Sequence, residues 1–170
     1  MTNWKEIAKQ IGALQDNGSE SGSTRDGQAA LEAILGDKWI QDAVEHILSF
    51  RSGSEVALSC LRILHSEKAV RYAYQVYKDA TGERADRAVF IIKDIAHPVA
   101  LQWVEEFLND SNVMARGLGV LDQLLWTEQI PYNEQVEALL QLALANSNNL
   151  LADHVSFIKD YLKLESENSR

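Results

Sequence analysis

With 170 residues, 46% of them apolar, the chain is long enough for one domain with a real core and too apolar to be intrinsically disordered. Its formal net charge of -9 at pH 7 argues against a surface that tracks nucleic-acid phosphates, which needs clustered Lys and Arg. No run nears the roughly eighteen apolar residues of a membrane span, and the single Cys60 excludes an internal disulfide and fits a reducing compartment, so the expected location is cytoplasmic.

Few prolines, many Leu and Ala, and little period-two alternation predict an all-α protein. Trp4, Ile7, Ile11 and Leu14 form one stripe of a first helix, within an N-terminal helical segment placed at 1–15. The Gly/Ser-rich stretch 16–26 cannot bury a face and reads as a flexible loop. A short helix over Gln28–Leu35 follows, stopped by Gly36.

From Asp37 the chain repeats itself in steps of thirty residues. Val44, Tyr74 and Val104 align; so do Ile47, Tyr77 and Phe107, and Ile40, Val70 and Ala100. Val136 and Leu139 provide a fourth copy after a two-residue insertion. These are the first helices of helical hairpins. The second helices carry apolar residues three and six places after Ala57, Ala85, Ala115 and Ala152, with a further one at the tenth place in three copies. That spacing is one helical stripe, which puts Cys60 and Ile63 in the core. Gly53, Gly82 and the Asp110–Ser111–Asn112 and Asn146–Asn149 stretches supply the turns, and Pro98 and Pro131 suit the first turn of a helix.

Stacking such hairpins buries stripes that each would leave open alone. The paired helices at about thirty residues, and the second-helix pattern Val113-Met114-Ala115-Arg116-Gly117-Leu118-Gly119-Val120-Leu121, resemble the HEAT-like repeat family over roughly Gly27 to Lys163. The expected fold is therefore all-α: a right-handed α-solenoid of about five antiparallel helical hairpins. It forms one domain over 1–170, with repeats at 27–163 and a disordered tail at 164–170. The family's frequent Asp and Arg pair is not cleanly present; only Arg84 and Arg116 come near the Arg place.

No constellation names a reaction. His46, His65, His97 and His154 form no ligand pair with metal spacing, and His97, before Pro98, reads as a helix-entry residue. No cofactor, metal or catalytic residue is assigned. Trp39, Tyr72, Tyr74, Tyr77, Trp103 and Phe107 read as packing between repeats, and Trp126 as packing under the loop to Pro131. Gly117 and Gly119 sit mid-helix at a cost of about 1 kcal/mol each. Close helix packing explains them most simply; the other reading is an opening on the inner face.

Five places after the anchoring alanines stand Arg62, Phe90, Val120 and Phe157, nearly opposite the buried stripe. The resemblance implies that second helices line a concave face. Arg62, Arg87, Phe90, Arg116, Val120 and Phe157 are thus the candidate protein-binding strip, an apolar centre with a polar rim. The alternative is that helix rotation buries Phe90 and Phe157. The expected function is a non-enzymatic protein-interaction module for a protein or peptide partner, which the acidic charge would allow to be basic; a bacterial immunity-type protein is one form of it. The alternatives are a HEAT-like bilin lyase-type enzyme or small-ligand binder and, less favoured by the charge, a nucleic-acid binder.

Overall fold

The computed structural model describes residues 2–147 and 149–168. Among them the protein is all-helical: α1 (Trp4–Gln10), α2 (Thr24–Leu48), α3 (Ser54–Leu64), α4 (Glu67–Asp79), α5 (Gly82–Ile95), a 3-10 turn at Pro98–Ala100, α6 (Leu101–Asn109), α7 (Met114–Trp126), α8 (Glu134–Asn146) and α9 (Ala152–Asn168). Helices pack in sequential pairs: α2 with α3, α4 with α5, α6 with α7, and α8 with α9. Like elements also meet, α2 with α4, α6 with α8, α3 with α5 and α5 with α7. No helix among the described residues is long and apolar enough to cross a membrane.

The N-terminal region differs from its expected form. α1 ends at Gln10, because the chain turns at Gly12 (φ 77°), and it buries none of its residues. The stretch 16–26 is not a loose loop. Leu14 and Glu20 form an antiparallel bridge, and Gln15 N–H donates to Ser19 while Ser21 N–H donates to Ala13. Ser23 then caps α2 in a capping box with Asp26, so the helix starts at Thr24 rather than Gln28. Gly36, at φ 79° and ψ 163°, breaks α2 where a stop was expected. At the other end, α9 is helical through Asn168, so the tail expected at 164–170 meets a helix, and residues 169–170 lie outside the described residues.

Ile40, Val70 and Ala100, Val44 and Val104, Ile47 and Phe107, and Val136 and Leu139 are all buried, so the first-helix register holds in four helices. The aromatics of α4 and α6 join these two helices. Tyr74 stacks on Trp103 at 4.1 Å, and Tyr77 meets Phe107 edge-on at 5.0 Å. Their hydroxyls donate to Glu106 and Asp110, and Tyr72 donates to Glu45 of α2. Burial, seconded by Glu106, pushes the Tyr74 phenol up to about 12, so it stays a donor at neutral pH.

Gly117 is required by this packing. A Cβ there would lie 2.6 Å from Phe107 Cβ and 3.1 Å from Phe107's carbonyl carbon, so α6 and α7 would have to separate. Overpacking of that kind costs about 1–3 kcal/mol, more than the ~1 kcal/mol alanine gains in helix propensity. Gly117→Ala should therefore lower the denaturant midpoint at an unchanged m-value.

Candidate protein-interaction face

The second-helix register holds in α5, where Ala85, Ala88, Ile91 and Ile95 are buried, in Leu118, Leu121 and Leu125 of α7 and in Val155 and Ile158 of α9, but slips in α3. In α3 the buried residues are Ser54, Leu58, Leu61 and Leu64, one place on from the expected set. Cys60 is only half-buried, and Ile63 is 69% exposed. In α7, Ala115 is exposed and Val120 is fully buried. Val120 therefore leaves the strip. Gly119 beside it is buried too, under the Lys93 stem, and in α3 exposed Ile63 takes the outward place beside Arg62. Phe157 is 55% exposed, as the strip requires, and packs edge-on to Tyr161 at 5.5 Å. Trp126 is also exposed and meets Tyr161 edge-on at 5.3 Å; it does not pack under the loop to Pro131.

Phe90 lies between these ends. It is half-buried against the core, with its ring held between two guanidinium groups: Arg87 at 5.7 Å and Arg116 at 5.2 Å. Arg87 also lies 3.9 Å over Phe50, a 52% exposed residue in the turn after α2, where the backbone has positive φ. Phe50, Arg87, Phe90 and Arg116 thus form a continuous cation–π ladder from the α2–α3 turn to α7. Arg87 is fixed further by its Nε–H donating to the Ile47 carbonyl. No sequence spacing pointed to Phe50, because it belongs to a turn outside both helix registers.

Polar side-chain contacts link each second helix to the next. Arg116 binds Asp86 through two hydrogen bonds of 3.0 and 3.1 Å, His154 sits 2.9 Å from Asp122, and Arg62 lies 3.4 Å from Asp94. The Asp94 oxygen facing Arg62 is buried and accepts no hydrogen bond, so this third pair is a charge contact without hydrogen-bond geometry. Asp122 is also reached by the Tyr161 hydroxyl at 3.1 Å. Arg62, Arg87, Phe90, Arg116 and Phe157 therefore share the second-helix side, with Val120 below it.

His97 acts as the entry residue, its Nδ1 accepting from Val99 N–H at 3.2 Å. Pro98 opens the 3-10 turn, whereas Pro131 stands before Asn133, the residue that caps α8. Among the described residues, no three His, Cys, Asp or Glu side chains are placed to hold one metal ion. Comparison with known proteins returns no matching family model, curated protein or solved structure.

Proposed function

We propose that the chain is a non-enzymatic interaction module, a right-handed HEAT-like α-solenoid of four hairpins, rather than the five expected, that binds a protein or peptide on the face formed by its second helices. The pairing of like helices along the chain supports the stacked arrangement. The observation that carries the binding reading is the ladder Phe50–Arg87–Phe90–Arg116, with exposed Ile63 and Phe157 beyond it. Aromatic and Arg side chains held rigid by their neighbours, with apolar groups around them, are the side chains that dominate protein interfaces. Fixing them in advance reduces the ordering cost of association. An immunity-type role, covering a toxin with this face, is one form of the proposal.

Selection of peptides from a random library displayed on phage tests it. Retained peptides should lose about tenfold or more in affinity when Ile63 or Phe157 is changed to Ser, the effect of removing one good apolar contact. Thermal stability should stay within about 0.5 kcal/mol, since both side chains are exposed. Peptides that bind both variants as well as the parent would place recognition elsewhere.

A further inference from the structure

Gly119 is packed less tightly than Gly117. A Cβ at Gly117 would collide with Phe107, but one at Gly119 would meet only the stem of Lys93, at 3.3 Å from Cδ and 3.4 Å from Cε. That stem belongs to a flexible side chain and would have to give by a few tenths of an ångström. Glycine mid-helix nevertheless costs about 1 kcal/mol against alanine. Glycine here lets the Lys93 stem lie close across α7. Beside that stem is a cavity of about 320 Å³, lined by Asp86, Lys93, Ala115, Arg116, Gly119 and His154, with Asn112 at its edge.

The charge in this cavity is cationic although the molecule is acidic. Asp86 is neutralised by its two hydrogen bonds to Arg116, and His154 is engaged by Asp122. Lys93 has no ion pair or hydrogen bond among the described residues, and its ammonium lies 3.8 Å from where a Gly119 Cβ would be. An unpaired ammonium beside an Arg–Asp pair leaves one positive charge for a ligand to meet.

We infer that this cavity, floored by Gly119 and walled by Lys93 and Arg116, receives a carboxylate side chain from an acidic protein segment docked on the second-helix face. The inference rests on the interaction reading above and specifies its partner's chemistry. The segment is acidic at this point, opposite to the basic partner that the net charge of -9 suggests. Repulsion from the rest of the molecule disfavours a long polyanion, so the carboxylate should stand among apolar residues.

NMR titration of the isotope-labelled full chain with N-acetylglutamate N-methylamide, a glutamate side chain without its backbone charges, provides the test. The expected result is saturable shifts at the Gly119 and Arg116 amides, absent with the glutamine analogue. Affinity should fall about tenfold in Lys93→Gln. Gly119→Ala should also weaken binding while its melting temperature stays level or rises, which separates lost space from lost folding. An equal response to the glutamine analogue, or unchanged affinity in Lys93→Gln, overturns the inference. So does tighter saturation by inorganic phosphate, which would assign the cavity to a phosphate-bearing ligand. If library peptides still depend on Ile63 while the glutamate analogue fails, the acidic-segment inference falls and the interaction face stands.

Discussion

Phe107→Ala is expected to destabilise the fold by about 3–5 kcal/mol, the range for removing a fully buried aromatic ring. Phe107 has no solvent exposure and meets two other helices, α4 and α7. Its ring meets Tyr77 edge-on at 5.0 Å and Tyr74 at 6.3 Å, and its Cβ presses on α7 where Gly117 admits it. Both tyrosines are themselves held: Tyr74 by Trp103 and Glu106, Tyr77 by Asp110. They cannot easily collapse into the void, which argues for the upper part of the range. Chemical denaturation checks this, and a loss below about 1 kcal/mol would contradict a packed α4–α6–α7 junction.

Acid should weaken the protein through His97. Burial first, then the neighbouring His65 ring at 4.9 Å, hold its imidazole down to about 4. Glu67, 3.8 Å from Nε2, pulls the other way, and Arg25 and Arg71 add to the depression. An unfolded histidine takes its proton near pH 6.5, whereas the folded one does so only near pH 4. Between these values the unfolded chain binds more protons, so stability falls as pH falls through this window, by up to about 3 kcal/mol. Above pH 6.5 the contribution is fully present. His97→Asn keeps an acceptor for Val99 N–H and removes the titration, so its stability should be flatter from pH 6.5 to 4. Carboxylates held low by hydrogen bonds, such as Glu106 and Asp26, titrate in both proteins and drop out of the difference. Parallel pH profiles for parent and variant would contradict the assignment.

The first helices were legible in the sequence because Ile40, Val44 and Ile47 recur thirty and sixty residues later with polar residues between them. Only one rotation buries such a stripe. α3 and α7 lack that contrast. In Val56-Ala57-Leu58-Ser59-Cys60-Leu61-Arg62-Ile63-Leu64 both the set from Ala57 and the set from Leu58 are apolar, and spacing cannot choose between them. The turn decides: Gly53, at φ 91°, starts α3 with Ser54 facing inward, and Leu58 follows it into the core. In α7 the run Gly117 to Leu121 is apolar all round because α5 and α6 cover it on two sides, so Val120 is buried where an isolated pair would expose it. The Gly/Ser-rich stretch 16–26 is ordered by backbone hydrogen bonds and the Ser23 cap, features that composition does not encode. Arg62, Arg87, Phe90 and Arg116 could be placed on one side from spacing alone. Their ladder could not, because it depends on Phe50, thirty-seven residues before Arg87 in the chain.

The most direct measurement of the interaction face is an amide shift map of the full chain with a library-selected peptide bound. The account predicts that shifted residues cluster on the second helices around Ile63, Phe90, Gly119 and Phe157. A cluster on the first-helix side instead, around Tyr72, Tyr74 and Glu106, would contradict it.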